Sequence, residues 1–503
     1  MSDLILAIDQ GTTSSRAFVL NSKADVLGKS QMEHRQYYPR AGWVEHDATE
    51  IWTNTQAVCL KAMQAARIDC ADVAGIGITN QRETIVIWNK YTGKPCGPAL
   101  VWQDTRTQHV CDEWIADVGM NCFQEKTGLP IATYFSASKL SWCLDHIDGL
   151  REQAEAGKIL CGTIDSWLIW NMTGGEKGGA HVTDVTNASR TQLMNLHTRQ
   201  WDEELLAFFN VPRRILPAIT PSCQPGGWGK TSHDLIFGGG IPVCGALGDQ
   251  QAALFGQSCQ RAGEAKNTYG TGCFLLMHTG ETPIVSSHGL LTTVAASLPG
   301  ASTQYALEGS VAVAGSLIQW LRDNLGIIET AAEVETLAVS VPDNGGVSIV
   351  PAFCGLFAPY WRSDARGIIC GLTGYANKAH LARAALEATA FQTVELYQAM
   401  AKDLHLQQSL PLRVDGGMVA NHLLMQIQAD LLQGDVIRPS FAETTVLGAA
   451  YLAGLSCGVW GSVEEGRQHW KEDARWLPVI GPEDAKEQLK KWQASVVRSF
   501  NQT

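Results

Sequence analysis

The chain has 503 residues, of which 45% are hydrophobic and 17% charged, and its formal net charge is −12. A chain of this length is too long for one hydrophobic core, so two domains of roughly 200–250 residues are expected. The composition excludes a disordered protein. The negative charge argues against nonspecific nucleic-acid binding, which needs a cationic face, although a local cluster of donors can still bind an anion.

The 14 cysteines include no CxxC pair, which argues against a zinc or thioredoxin-like site and predicts scattered thiols in a reducing compartment. The first residues carry no basic segment, and Asp9 interrupts their apolar run, so no signal peptide is expected. Because no run of about 18 apolar residues occurs, we expect a cytoplasmic protein without a membrane span.

The first half of the chain alternates short β-like runs with helical stretches, which predicts an α/β fold. The strands are expected at Leu4–Asp9, Arg16–Leu20, Asp25–Ser30, Val73–Thr79 and Thr84–Trp88, and a helix at Glu50–Ala66. The polar stretch Val182–Ser189 is expected to be a loop.

The second half repeats this pattern. Ala265–Gly280 places Gly and Thr between two β-rich runs, and Gln304–Gly309 predicts a further strand. Apolar residues recur at helical spacing over His380–Lys402, and Leu412–Gly417 predicts a strand that ends in glycines. Two similar halves indicate a duplicated α/β unit with a cleft between the copies and a join near Phe255–Gly263.

The turn after the first strand is a candidate anion site. Asp9 ends an apolar run, and Gly11, Thr12 and Thr13 follow it closely. Such a turn points several N–H groups and hydroxyls in one direction, which suits phosphate oxygens. A carboxylate beside it can hold a hydrated Mg²⁺, and Arg16 can add a cation. A polar hairpin tip without a ligand explains the same residues.

Two further strand ends favour ligand binding. Thr268–Cys273 is a second Gly/Thr tip, and Val414–Gly417 brings glycines to another strand end, where a backbone can approach a base or ribose. Two tips that face one cleft can hold a polyphosphate from both sides.

Two polar positions have alternative explanations on the residues alone. Asp249 follows the small-residue run Gly245–Gly248 and begins a predicted helix, so it can be a general base or a helix-capping residue. Arg82 and Glu83 offer a donor and an acceptor that match a diol, or else form a surface ion pair worth about 0–1 kcal/mol.

Several longer motifs show a resemblance that covers almost the whole chain. They are "AIDQGTTSSR" (Ala7–Arg16), "GITNQRET" (Gly77–Thr84), "GDQQAALFGQ" (Gly248–Gln257), "KNTYGTGCF" (Lys266–Phe274) and "RVDGGMVAN" (Arg413–Asn421). The sequence resembles the FGGY carbohydrate kinases, within the actin, hsp70 and hexokinase superfold. This resemblance implies a two-domain, ribonuclease H-like duplicated α/β fold with a nucleotide cleft between the domains. It implies an N-terminal substrate and phosphate domain over 1–256 and a C-terminal adenosine-side domain over 257–503.

Within that family the motifs are similar to those of members that act on glycerol. The resemblance therefore implies ATP-dependent phosphorylation of glycerol to glycerol 3-phosphate with Mg²⁺, by a homodimer or homotetramer. It makes Asp249 the general base and Asp9 the Mg²⁺ residue. The implied substrate contacts are Arg82, Glu83, Trp102, Tyr134, Asp249, Gln250 and Phe274. The implied nucleotide contacts are Thr12, Thr13, Ser14, Arg16, Thr271, Gly315, Gln319, Gly417 and Asn421.

Some of these residues also have purely structural explanations. Aromatic residues such as Trp102 and Phe274 often lie in cores, and Gly315 and Gly417 can be packing glycines. Two other functions also compete. One is an FGGY kinase for another polyol or a ketose, and the other is a non-catalytic, nucleotide-gated protein of the same superfold. Asp249 followed by Gln250 argues against the second.

The loop Gly226–Pro242 departs from the family pattern. Some relatives carry an arginine there for fructose 1,6-bisphosphate, and this chain lacks it, so the resemblance does not imply inhibition by that ligand. His233 is expected to be an exposed loop histidine. The "GKT" at Gly229–Thr231 lacks the rest of a P-loop, and Glu45–Asp47 predicts a structural turn.

Overall fold

Two mixed β-sheets with packed helices form the framework, and the computed structural model describes residues 3–502. In the first half the strands are β1 (Leu4–Gln10), β2 (Ser14–Leu20), β3 (Val26–Glu33), β4 (Glu45–His46), β5 (Val73–Asn80), β6 (Ile85–Asn89), β7 (Ala99–Leu100), β8 (Ile159–Thr163), β9 (Val182–Asp184), β10 (Met194–Asn195), β11 (Gln200–Trp201), β12 (Ala218–Thr220), β13 (Gly229–Lys230) and β14 (Pro242–Gly248). The helices are α1 (Ala48–Ala66), α2 (Gln108–Val118), α3 (Gln124–Thr127), α4 (Ser136–His146), α5 (Leu150–Glu155), α6 (Ile164–Met172), α7 (Val185–Ala188), α8 (Glu203–Phe208) and α9 (Asp249–Gly256).

The second half continues the same alternation of strands and helices. Its strands are β15 (Ala265–Tyr269), β16 (Cys273–Gly280), β17 (Leu291–Ala296), β18 (Gln304–Val311), β19 (Ser348–Val350), β20 (Ile368–Cys370), β21 (Leu412–Asp415), β22 (Val436–Pro439) and β23 (Glu472–Trp476). Its helices are α10 (Gly315–Asp323), α11 (Glu333–Val339), α12 (Lys378–Asp403), α13 (His422–Leu432), α14 (Thr444–Cys457), α15 (Val463–Gln468) and α16 (Pro482–Arg498).

The two large sheets share one topology, which confirms the predicted duplication. The first runs β13-β14-β5-β1-β2-β3, and the second contains β18-β16-β15-β21-β22 in its centre. In each, three strands form an antiparallel meander and two more pair in parallel beside its first strand. The turn β1–β2 and the turn β15–β16 therefore occupy equivalent positions in the two halves.

Burial explains the patterns of the first sheet. The central strand β1 is apolar up to Asp9, and Ile5 to Ile8 are all fully buried, as expected for a strand covered on both faces. The outer strand β3 alternates buried and solvent-facing positions, which is typical of a sheet edge.

Helix α14 ties the far end of the chain to the first sheet. Val446, Leu447 and Ala450 pack into one core cluster with residues of β1 and β14. Glycines make this approach close, because a Cβ on Gly77 would lie 2.1 Å from the Ala449 carbonyl oxygen. The predicted domains, 1–256 and 257–503, stay a prediction, but the core under the first sheet draws on both stretches.

The predicted strands and helices all form, with shifts of a few residues at their ends. Helix α1 begins at Ala48 rather than Glu50, because the Asp47 carboxylate accepts hydrogen bonds from the Thr49 and Glu50 N–H groups at 2.8 and 3.4 Å. This capping also accounts for Glu45–Asp47 as a structural feature.

The prediction that Val182–Ser189 forms a loop is wrong. The stretch forms β9 and α7 and is buried beyond its first residue, since its polar groups satisfy one another. The Asp184 carboxylate alone accepts from the Thr186 and Asn187 N–H groups at 2.9 Å each. Among the helices of residues 3–502, none combines the length and the hydropathy that a membrane crossing needs.

Candidate active site

The β1–β2 turn places the first set of predicted phosphate residues. Gly11 N donates to Ser14 O at 2.9 Å and closes the turn. Asp9 and Arg16 are paired in register on β1 and β2, and the Arg16 Nε donates to Asp9 Oδ2 at 3.1 Å. Arg16 Nη1 also reaches Glu443, which precedes α14, at 2.6 Å. Thr12 and Thr13 lie at the tip and are accessible to a ligand.

Asp9 is a buried carboxylate in a negative environment. Burial raises its pKa, Arg16 counters that effect, and the charges of Asp249 and Glu443 raise the pKa further. Asp249 must therefore lie near Asp9, so the strand end and the start of α9 share one crevice. A cation beside these carboxylates is favoured electrostatically.

The turn between β15 and β16 carries Thr271 against the start of α10. The Thr271 carbonyl accepts hydrogen bonds from the N–H groups of Ala314 and Ser316 at 3.0 and 3.1 Å. Gly315 fits there only without a side chain, since its Cβ would lie 2.5 Å from the Gly270 carbonyl oxygen. Gln319 is exposed one helical turn further along α10.

The glycines after β21 lie against this same region. Gly416 has φ +94°, and its Cβ would lie 2.3 Å from Tyr269 O, so the chain turns sharply there. Gly417 is exposed with open space around it, and Asn421 caps α13 by accepting from Leu424 N at 2.8 Å. The Cβ of an alanine at Gly315 would approach Met418 Sδ to 3.3 Å, so the segments that carry Gly315 and Gly417 are in contact.

Arg82 and Glu83 lie at the end of β5 and are almost fully buried, at 3% and 1% exposed. They do not form the surface ion pair that was one explanation for them. The Arg82 Nε lies 3.1 Å from Asp249 Oδ1, while Arg190 Nε donates to Glu83 Oε1 at 2.6 Å. Glu83 has φ +60°, a strained conformation for a non-glycine residue that the surrounding contacts must hold.

Three aromatic side chains, two from the first half of the chain and one from the second, pack together near these groups. Trp102 lies with its ring 5.6 Å from Tyr134 and 6.3 Å from Phe274, which belongs to β16. All three are half-buried, so they line a recess rather than a closed core. The Trp102 Nε1 donates to Thr12 Oγ1 at 3.0 Å, which connects the aromatic recess to the phosphate turn.

Asp249 is the first residue of α9, and its side chain is 28% exposed toward the cleft. The residue before it, Gly248, is the N-cap, so Asp249 is not the capping residue. Its Oδ1 accepts from Gln250 N at 2.7 Å and faces Arg82. Its Oδ2 has no partner among the described residues.

Three buried charged residues at this site were missed by the sequence interpretation: Arg190, Lys266 and Glu308. Lys266 donates to Gln250 Oε1 and to Thr268 Oγ1, and burial lowers its pKa to about 8. Burial alone would raise the pKa of Glu308, but Arg190 and Arg82 bring it down to about 2. The only signal was a charged residue inside an apolar strand, as Glu308 is in "YALEG".

Contacts connect one group of the predicted residues, which contains Thr12, Trp102, Tyr134, Phe274, Glu83, Arg82 and Asp249. A second group of contacts joins Gly315 to the turn at Gly270 and to Met418, beside Gly417. The roles assigned to all these residues stay predictions. No group of three or more His, Cys, Asp or Glu side chains in residues 3–502 is placed to hold a metal ion. A single carboxylate, Asp9, fits Mg²⁺ that keeps most of its waters or binds phosphate oxygens. The Gly229–Thr231 stretch contains β13 and no helix follows it, so it is not a P-loop, and His233 is exposed.

A duplicated α/β fold with a Gly/Thr turn at the equivalent position of each half, together with a buried polar recess, is typical of two-domain sugar kinases. The family model of the FGGY carbohydrate kinases matches residues 4–256 with its N-terminal domain and residues 265–457 with its C-terminal domain. The chain belongs to the FGGY family of carbohydrate kinases.

Relatives are similar over the full length. A glycerol kinase from Pseudarthrobacter chlorophenolicus is 56% identical over 501 residues, which is 100% of this chain and 99% of the relative. The crystal structure of Plasmodium falciparum glycerol kinase with ADP is 37% identical, with a TM-score of 0.92 over 99% of this chain and 98% of that one. The xylulose kinase from Lactobacillus acidophilus is 21% identical, with a TM-score of 0.86 over 98% of this chain and 96% of that one, and shares the fold.

Proposed function

We propose that the protein transfers the γ-phosphoryl group of ATP to a terminal hydroxyl of glycerol, giving glycerol 3-phosphate and ADP. The observation that carries this proposal is the buried pairing of Arg82, next to Glu83, with Asp249 at 3.1 Å. The nearby Trp102 indole also donates to Thr12 in the phosphate turn at 3.0 Å. The relatives named glycerol kinase, at 56% identity over the full chain, support the same reaction.

The recess suits a small polyol. Arg82 and Glu83 are buried and held by other side chains, so they present fixed donor and acceptor groups instead of mobile ones. Fixed polar groups give orientation, because no binding free energy is lost in ordering them. Trp102, Tyr134 and Phe274 pack edge to face beside these groups and offer apolar surface for the carbon chain.

Asp249 receives the proton of the attacking hydroxyl. The hydroxyl oxygen forms a bond to the γ-phosphorus as the bond from that phosphorus to the β–γ bridging oxygen breaks, and ADP leaves. Oδ1 of Asp249 faces Arg82, whereas Oδ2 is unpartnered and partly open to the cleft, so Oδ2 takes the proton. A carboxylate placed this way accepts the proton only as the new bond forms.

The phosphates lie between the two turns. Thr12, Thr13, Ser14 and Arg16 contact them from the β1–β2 side, and Thr271 does so from the β15–β16 side. Asp9 would hold Mg²⁺, which neutralises phosphate charge when bound. On the adenosine side, Gly417 leaves open space for the base or ribose, with Gly315, Gln319 and Asn421 around it.

The two turns belong to different sheets, so closure of the cleft would exclude water from the reacting groups. A kinase that admits water to this site hydrolyses ATP. Glycerol with a non-hydrolysable nucleotide should therefore make the protein more compact in solution scattering, and an unchanged radius of gyration would count against closure.

The direct test is ADP release by the purified protein, with glycerol, dihydroxyacetone and xylulose compared at equal concentrations. We expect kcat/KM to be highest for glycerol. A preference for xylulose would replace the proposal with a ketose kinase, and the absence of substrate-dependent ADP release would replace it with a nucleotide-gated protein.

A further inference from the structure

A buried ion network joins the polyol recess to the second sheet. Glu308 lies on β18 and is fully buried, and its carboxylate holds the Arg82 guanidinium with two bonds, from Nη1 to Oε2 at 2.5 Å and from Nη2 to Oε1 at 2.8 Å. The same Oε1 accepts from Arg190 Nη2 at 3.3 Å. Glu308 therefore bridges two arginines of the first half of the chain.

The hydrogen bonds of Arg82 leave one N–H group of Nη2 free, while Nε lies beside Asp249. A guanidinium carries five N–H groups in a rigid plane. The Nε group faces Asp249, Nη1 donates to Glu308 and to Gln251 Oε1 at 3.3 Å, and one N–H of Nη2 goes to Glu308. The second N–H of Nη2 has no partner among the described residues, so Glu308 decides where that donor points.

Arg190 holds the Glu83 carboxylate, the acceptor of the recess, in the same way. Its Nε donates to Glu83 Oε1, and its guanidinium lies 5.5 and 5.4 Å from the ring centres of Tyr134 and Phe135. Glu83 Oε2 accepts no hydrogen bond from another described residue. One carboxylate oxygen is thus held by Arg190, and the other is left for a hydroxyl.

The charges make this arrangement depend on all its members. Arg82 and Arg190 are like charges in a dry environment, and Glu308 lies between them and compensates both. Replacing one member leaves an uncompensated buried charge, which rearranges its neighbours.

We propose that Glu308 and Arg190 are positioning residues for polyol recognition: Glu308 orients the free N–H on Nη2 of Arg82, and Arg190 orients the free carboxylate oxygen of Glu83. The polyol recess is then completed by a carboxylate from the second sheet. This inference rests on the proposed phosphorylation of glycerol.

The test is steady-state kinetics of Glu308→Gln and Arg190→Lys. Gln keeps the shape of Glu308 but turns an NH₂ group toward a guanidinium that can only donate, and Lys keeps the charge of Arg190 but loses its forked geometry. We expect KM for glycerol to rise by about tenfold or more, equal to about 1.4 kcal/mol, with KM for ATP changed by less than about twofold. KM does not depend on the folded fraction, so partial unfolding leaves this readout intact.

Glu387→Gln is the matched control, because Glu387 is also a buried carboxylate paired with an arginine, at 3.1 Å, but lies on α12. It should leave both KM values unchanged. A drop in kcat alone, with KM for glycerol unaltered in either Glu308→Gln or Arg190→Lys, would make the network merely structural and overturn the inference. Failure of the unaltered protein to phosphorylate glycerol would instead remove the proposed function.

Discussion

Replacing Asp249 with asparagine tests its role as the general base. The carboxylate Oδ1 lies 3.1 Å from Arg82 Nε and accepts from Gln250 N at 2.7 Å, so the only oxygen of an asparagine amide is expected to take this position. The amide NH₂ then replaces Oδ2, the one atom of the side chain that is free to receive a proton. Asparagine can still donate a hydrogen bond to a hydroxyl, but it cannot act as a base.

The expected loss follows from the chemistry removed. A positioned general base contributes about 10²–10⁴-fold, so kcat should fall by that factor, which corresponds to about 3–5 kcal/mol of activation free energy. KM for glycerol should change by less than about threefold, because the polar contacts of the recess persist. Stability should change little, since Arg82 keeps its bidentate pairing with Glu308.

The assay is coupled ADP release at saturating ATP, with single-turnover measurements to isolate the chemical step. Asp202→Asn is the matched control, because Asp202 also binds a helix N-terminus through its carboxylate but does so at α8. If Asp249→Asn kept more than about a tenth of the normal kcat, proton acceptance by Asp249 would be refuted, since asparagine serves equally well at a helix start.

Three further outcomes are expected. Trp102→Phe removes the hydrogen bond from the indole to Thr12 but keeps an aromatic ring. The loss of about 0.5–1.5 kcal/mol should lower kcat/KM by roughly two- to tenfold. Gly416→Ala should destabilise the protein by about 1–3 kcal/mol, because its φ is +94°, whereas Gly417→Ala should keep its stability and raise KM for ATP. Burial lowers the pKa of Lys266 in the folded protein to about 8. Between pH 8 and its ordinary pKa of 10.5, Lys266 is therefore protonated in the unfolded chain and neutral in the folded protein. The free energy of unfolding should therefore rise with pH across that window relative to Lys266→Met, by about 3 kcal/mol.

Each outcome has a measurement that can contradict it. Equal kcat/KM for Trp102→Phe and the unaltered protein would mean that the indole bond is unimportant for turnover. Equal urea midpoints for the two alanine variants would contradict the strain at Gly416, and an unchanged KM for ATP in Gly417→Ala would leave Gly417 outside the nucleotide site. The free energies of unfolding of Lys266→Met and the unaltered protein should diverge above pH 8. A constant difference between them would contradict the claim that Lys266 is neutral in the folded protein.

Local patterns were enough to predict the framework. Apolar runs such as Leu4–Asp9 and helical spacing over His380–Lys402 specify strands and helices because burial rewards one periodicity over the other. The Gly/Thr turns at Gly11–Thr13 and Gly270–Gly272 were visible for the same reason, since only a few residue types suit a tight turn after a buried strand. The loop prediction for Val182–Ser189 was wrong because the hydrogen-bond partners of its polar groups, such as Asp165 and Ser222, come together with it only in the folded protein.

The sequence alone determined the alternation of elements, the duplicated pattern and the positions of the two turns, because these depend on neighbours along the chain. Only the tertiary structure decided that Arg82 is held by Glu308, which lies 226 positions away, and that Glu83 is held by Arg190, which lies 107 positions away. Such pairs form where segments distant in the sequence pack together and exclude water, so the desolvation of charge that makes each partner necessary exists only after the chain has folded.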